Sequence, residues 1–285
     1  MHAFYLERPN GGQLYCIHHP PQGPTQRGQI LYLHPFADEM NKARRMAALQ
    51  ARRFASSGFE VLQIDQLGCG DSSGDFADAT WQDWVDDGLN GIALLRRQDM
   101  GTPPLWLWGL RAGCMLAMEI AKKSNDDCNL LLVQPPATGK VMLQQFLRLK
   151  LAAMLLESTD AGGMAKLRKR ISNGETLEVA GYPLTASLAN SLESLTMPPS
   201  AALGHLTQLI WIELNGQGDA GLTPVGTLAT ARLRAAGYAV RSATVAGPPF
   251  WQTNEIELAP QLIDLCADML LQSDQPSNAQ VSCNT

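Results

Sequence analysis

Residues 109–113 read Gly-Leu-Arg-Ala-Gly, between an apolar run (Leu105, Trp106, Leu107, Trp108) and a helix-patterned stretch from Cys114 to Lys122. This is the frame of G-x-S-x-G, in which a strand, a sharp turn and a helix expose a nucleophilic serine at the tip of the turn. Here the tip is Arg111. A guanidinium stays protonated, carries five N–H donors and has no lone pair with which to attack a carbonyl. Placed beside a helix N-terminus, it is suited to holding a carboxylate or phosphate.

Other residues could share that chemistry. His34-Pro35-Phe36 ends an apolar run at the place where a backbone N–H helps to form an oxyanion hole. By position the two donors are the N–H groups of Phe36 and Ala112, and the missing N–H of Pro35 does not matter because the donor lies one residue later. Glu39 and His34 lie on the same loop and are expected within reach of Arg111. Glu39 then has two readings, an internal ion pair with Arg111 or a general base. Asn41 on that loop and Trp251 beyond the last strand complete a candidate ligand-binding set with Phe36 and Ala112. Asp219, in Asn215-Gly-Gln-Gly-Asp219, stands where a catalytic triad keeps its acid, and also fits an Asx turn at a strand end. A triad histidine should follow the last strand, but the text there is Gly247-Pro-Pro-Phe-Trp-Gln-Thr-Asn254, and the five histidines are 2, 18, 19, 34 and 205. Cys114 and Cys69 are the remaining nucleophile types nearby, and each also reads as a small buried hydrophobe. No metal-ligand set such as H-E-x-x-H appears, and neither metal nor cofactor is expected.

The elements that must position these residues alternate. Strand signals at Ala3–Leu6 and Leu14–His18 flank Asn10-Gly11-Gly12 and predict a hairpin. Strands follow at Gln29–Leu33, Phe59–Ile64, 105–108, Leu130–Gln134, Leu209–Leu214 and Val240–Val245. Helices are predicted over Lys42–Ser57, from a Thr80 cap to Arg97, over 112–123 and Pro224–Ala236, and from Glu257 to Leu271. Such β-α-β-α order implies a mostly parallel, doubly wound sheet. The alternation stops between residues 135 and 207, a helical stretch without a convincing strand, which predicts a helical cap over the pocket. The expected division is a core of 1–134 and 208–272, a cap of 135–207 and a disordered polar tail of 273–285.

Two resemblances carry further. Asp65-Gln-Leu-Gly-Cys-Gly-Asp-Ser-Ser-Gly74 resembles the D-x-x-G-x-G-x-S-x-G loop of many α/β-hydrolases, whose glycines permit turns at positive φ. It lacks the G-x-G-x-x-G frame of a dinucleotide site. His34-Pro-Phe-Ala-Asp-Glu-Met-Asn-Lys-Ala-Arg-Arg-Met46 resembles the P-P-F-A-E-E-M-N-K-S-R-R-M segment of the exosortase A system-associated hydrolase 2 proteins, with His34 for proline and Ala43 for serine. Leu107-Trp-Gly-Leu-Arg-Ala-Gly113, Gln134-Pro-Pro, Gly139-Lys140, Gln145-Phe-Leu-Arg-Leu-Lys150, Ala180-Gly-Tyr182 and Gly247-Pro-Pro-Phe-Trp-Gln252 extend the likeness over roughly residues 1–272. The resemblance implies an α/β-hydrolase fold, a setting in PEP-CTERM sorting and exopolysaccharide production, and an arginine that belongs to the elbow. Two functions follow as expectations. One is an ester or thioester (acyl) hydrolase or transferase without a Ser-His-Asp triad, in which Arg111, Glu39, His34 and Asp219 do the work. The other is a non-catalytic binder of an anionic ligand, or of a protein partner in the exosortase/exopolysaccharide machinery.

Composition agrees with a globular α/β chain. Its 285 residues are 45% hydrophobic and 17% charged, enough to bury a large core. A net charge of −5 argues against a nucleic-acid surface, although Arg44, Arg45, Arg52 and Arg53 cluster, as do Lys166, Arg168, Lys169 and Arg170. Six cysteines without C-x-x-C spacing point to reduced thiols. With no signal peptide and no transmembrane segment in view, a cytoplasmic location is expected.

Overall fold

In the computed structural model, residues 1–97, 103–156, 163–198, 206–216 and 221–273 are described. The hairpin forms as expected: β1 (His2–Glu7) pairs antiparallel with β2 (Gln13–His19), and Gly11 and Gly12 turn the chain at positive φ. The next strands are β3 (Gly28–Leu33), β4 (Phe59–Ile64), β5 (Leu105–Leu110) and β6 (Cys128–Val133). With β9 (Leu206–Asn215) and β10 (Ala239–Ala246) they complete an eight-stranded sheet in the order β1-β2-β4-β3-β5-β6-β9-β10. Every pairing from β4 to β10 is parallel, and β2 alone runs against its neighbours. This is the α/β-hydrolase fold.

Alternation along the central strands assigns the two faces. Leu31, Leu33, Leu105, Leu107, Leu130 and Leu132 point one way, into a core shared with α2 (Trp81–Leu95), α3 (Ala112–Lys123) and α7 (Pro224–Ala235). Ile30, Tyr32, Trp106, Trp108, Leu131 and Ile212 point the other way, against α1 (Asp38–Ser56) and α8 (Pro260–Ser273). Both faces are therefore covered, as a parallel sheet requires. Thr80 caps α2 in a reciprocal box with Asp83, satisfying two donors that the helix start would otherwise orphan.

Several features differ from expectation, among them the start of the last helix α8, at Pro260 and not Glu257. Helix α1 begins at Asp38, four residues before the predicted start, because its N-cap is Ala37 at φ 51° without a side-chain cap bond; no cap residue announces it. The C-terminal helix extends through Gln272 and Ser273, so Ser273 belongs to α8 and not to a tail; residues 274–285 lie outside the described residues. The segment between β6 and β9 is not strand-free. It holds α4 (Gly139–Leu156), α5 (Gly163–Ser172), a short antiparallel pair β7 (Leu177–Val179) and β8 (Tyr182–Leu184), and α6 (Ala186–Ser194). The β7–β8 turn is only Ala180-Gly181, both at positive φ, too short to register as a strand pattern. Among the described residues no helix is long and apolar enough to cross a membrane.

Candidate functional site

Three neighbouring parallel strands, β3, β5 and β6, end in the same device. Ala37, Arg111 and Gln134, just beyond their C-terminal ends, all carry positive φ (51°, 56° and 51°). For a residue with a Cβ, such a backbone costs roughly 1–3 kcal/mol and persists only where the surroundings hold it. Arg111 (ψ −121°) is held at the N-cap of α3, with its N–H on the Val133 carbonyl at 3.0 Å. The flanking glycines permit this turn. A Cβ on Gly109 would lie 2.5 Å from the Gly113 carbonyl oxygen, and one on Gly113 would lie 2.1 Å from that of Leu33. The elbow geometry is thus intact around an arginine.

The guanidinium is buried, with 6% of the residue exposed, and so is Glu39 at 8%. Arg111 Nη2 donates to Glu39 Oε1 at 3.0 Å, and Nε lies 3.3 Å from both carboxylate oxygens. Nη2 also donates to Gln145 Oε1 of α4 at 2.7 Å, so the insertion between β6 and β9 reaches the elbow. The Trp251 ring lies 5.5 Å from the guanidinium carbon, within cation–π range. Burial pushes the Glu39 carboxyl above the usual range, against the Arg111 guanidinium and a hydrogen bond to Gln252. Nη1 of Arg111 makes no hydrogen bond among the described residues.

Two cavities flank this pair. One, of about 680 Å³, is lined by Arg111, Gln134, Asn215, Gly216, Trp251 and neighbouring residues. The other, of about 370 Å³, lies over Glu39 between Phe36, Met142, Phe146 and Leu149, with Lys42 and Arg148 at its edge. Gln145 and Gln252 line both. These two glutamines escaped the sequence analysis as site residues, since neither type marks chemistry by itself. Their only signal was membership of the segments that resemble the exosortase-associated proteins.

The candidate residues separate accordingly. Arg111, Glu39 and Trp251 come together, and Phe36 walls the smaller cavity. The Phe36 and Ala112 N–H groups make no hydrogen bond among the described residues, and Gly113 against the Leu33 and His34 carbonyls brings the start of α3 to the end of β3. His34 does not join Arg111. Its Nδ1 donates to the Pro35 carbonyl at 2.8 Å and its Nε2 faces the Gln66 N–H at 3.5 Å. It lines a separate cavity of about 180 Å³ with Tyr32, Arg44 and Asp65. Burial holds its imidazole below the usual value. Asn41 is also turned away, donating to the Tyr182 hydroxyl of β8 at 2.8 Å. Asp219 lies outside the described residues. Cys114 is fully buried, its Sγ 3.2 Å from the Gly109 carbonyl oxygen and its thiol pKa raised by burial. Cys69 is buried and shifted the same way. Neither thiol is placed to attack a ligand at the elbow. Among the described residues no group of three His, Cys, Asp or Glu side chains could hold a metal ion.

The glycine-rich loop is tied to β2 and α1 beside the His34 cavity. Ser72 Oγ donates to the Asp65 carbonyl and accepts from the Tyr15 N–H. Asp65 pairs with Arg44 at 2.9 Å, and Gly70 lies so close to both that a Cβ would fall 1.9 Å from Asp65 Oδ2.

Comparison with known proteins bears on the fold and the family. No curated protein matches the chain. Among solved structures it is similar to Est1E from Butyrivibrio proteoclasticus with bound ferulic acid, at 16% identity, TM-score 0.66, and coverage of 95% of this chain and 98% of that one. It is also similar to a thermostable carboxyl esterase from Bacillus coagulans in complex with glycerol (14%, TM-score 0.64, 96% and 99%). A third is a proline iminopeptidase from Mycobacterium smegmatis (17%, TM-score 0.56, 96% and 99%). At these identities the likeness establishes the fold. The family model described as serine aminopeptidase, S33 matches residues 24–178 of the 285. The chain belongs to that family, within the α/β-hydrolase superfamily.

Proposed function

We propose that this chain has kept the α/β-hydrolase framework while losing the Ser-His-Asp triad, and that it binds a small carboxylate-bearing ligand through Arg111. The observation that carries this reading is the state of the guanidinium. Glu39 and Gln145 occupy its Nε and Nη2, while Nη1 has no partner among the described residues and lies beside a cavity large enough for a small molecule. A buried cation with an unused donor pair favours an anion that can accept from it. The N–H groups of Phe36 and Ala112, which make no hydrogen bond among the described residues, would supply the second contact, as an oxyanion hole does for a reacting carbonyl. In this reading residues 135–207 act as the cap over the site.

A second reading makes the chain an acyl hydrolase or transferase in which Glu39 manages the proton. What favours it is the raised Glu39 carboxyl at the cavity wall, because a general base works best with a pKa near ambient pH. The exosortase A/PEP-CTERM setting rests on the long motif from His34 to Met46 and belongs to either reading. Thermal-shift titration with a carboxylate panel from acetate to ferulate, beside fluorophosphonate labelling and turnover of p-nitrophenyl esters, separates the two. Carboxylate stabilisation without labelling or turnover supports the binder; Arg111-dependent turnover supports the enzyme.

A further inference from the structure

Helix α4 carries two apolar faces. Met142, Leu143, Phe146 and Leu147 are buried against the rest of the fold. The opposite stripe, with helical spacing, runs Val141, Arg148, Leu149, Ala152, Leu155 and Leu156. Leu155 and Leu156 are 72% and 88% exposed, and Val141 and Leu149 are exposed as well. Large apolar side chains massed on one outer face mark a contact surface more often than scattered ones do.

Charge narrows the choice of partner. In a chain of net charge −5, α4 holds Lys140, Arg148 and Lys150 and no acidic residue. Helix α5, packed beside it, holds Lys166, Arg168, Lys169 and Arg170 and likewise no acidic residue. Arg168 and Arg170 pair with Glu193 and Glu175, whereas Lys140, Arg148 and Lys150 have no ion-pair partner among the described residues. Exposed leucines beside cations on one helix are the pattern of a segment lying in the interface of an anionic bilayer.

The stripe is also continuous with the site, since Arg148 and Leu149 line the smaller cavity together with Phe36, Met142 and Phe146. We propose that the outer face of α4 seats the protein peripherally on an anionic lipid surface, with the mouth of the Glu39 cavity at the bilayer boundary. The leucines enter the acyl region, the cations face lipid phosphates, and an amphiphile can pass from bilayer to cavity along one apolar wall. This inference does not depend on what Arg111 binds.

The test is flotation of the full chain with vesicles of phosphatidylcholine, with and without phosphatidylglycerol, for the wild type, Leu155→Ser/Leu156→Ser and Lys140→Glu/Arg148→Glu. The altered side chains are at the surface, and circular dichroism checks that the fold is kept. The expected result is binding to the anionic vesicles, weakened by salt and reduced at least about tenfold by either double variant. Failure of the wild type to float, or flotation unchanged in both variants, overturns the proposal. So does concentration-dependent self-association that the leucine variant abolishes while vesicles capture nothing, which would assign the stripe to a second copy of the chain.

Discussion

Glu39 Oε1 lies 3.0 Å from Arg111 Nη2, joining the first turn of α1 to the tip of the β5–α3 elbow across 72 residues of sequence. Both groups are buried, so each is the other's compensation for lost water. A serine at the tip of such a turn needs a histidine to remove its proton; a buried arginine there needs a carboxylate to tolerate its charge. The first turn of α1, opened by Ala37, is what brings Glu39 to the elbow.

Removing one member should therefore cost more than removing both. Arg111→Met leaves Glu39 buried and uncompensated, and is expected to lower unfolding stability by about 3–5 kcal/mol. Glu39→Gln/Arg111→Met should regain most of that loss, because an amide can bond to Gln145 and Gln252. Urea unfolding of the three proteins at neutral pH measures it.

Carboxylate binding should take up a proton. Burial already raises the Glu39 carboxyl, and a second anion near Arg111 raises it further, so the complex holds more protons than the free protein at a pH just above the carboxylate range. Binding should tighten as pH falls toward that range. Calorimetry in two buffers of different ionisation enthalpy reads the proton uptake directly; a buffer-independent heat would leave Glu39 uninvolved.

His34 should make stability pH-dependent in the opposite region. Burial lowers its folded pKa from an ordinary 6.5, so the unfolded chain binds the proton more readily. Its contribution is present above pH 6.5 and is lost as pH falls through 6.5 toward the folded value. His34→Asn should flatten that part of the stability profile, leaving the slope contributed by His19, whose pKa burial also lowers.

Gly113→Ala tests the elbow packing. Its Cβ would meet the Leu33 carbonyl oxygen at 2.1 Å, a backbone atom that cannot swing aside. A loss of about 3 kcal/mol or more is expected. Gly216→Ala has nothing within 4 Å of the new Cβ among the described residues and should change stability by less than about 1 kcal/mol. Equal losses would mean that the α3 start is not pressed against β3.

Serine at the tip should not restore a triad. Arg111→Ser supplies a hydroxyl at the right turn, but Trp251 and Gln252 occupy the stretch after β10 where the base would stand. Fluorophosphonate labelling of this variant should stay at background.

The parts legible in sequence were those with strong periodicity or special chemistry. The alternating strands, the Thr80 cap and the glycine frame around Arg111 each state a physical need in a few adjacent residues. The Arg111–Glu39 contact was among the alternatives because both residues sat in recognisable loops. What sequence could not give was direction. His34 and Asn41 lie on the same stretch as Glu39, yet one turns to Pro35 and Gln66 and the other to Tyr182. Ala37 at positive φ, an N-cap without a cap side chain, decides where that stretch becomes helix. Gln145 and Gln252 were invisible because an amide acquires meaning only from the charge beside it.

Whether Arg111 is a binding group is tested most directly by one titration. Purified protein and the Glu39→Gln/Arg111→Met variant are titrated with acetate, benzoate, octanoate and ferulate by calorimetry, with ester turnover followed in parallel. The expected result is saturable binding of at least one carboxylate to the wild type, none to the variant, and no turnover. Equal binding by both proteins, no binding across the panel, or Arg111-dependent ester hydrolysis would contradict it.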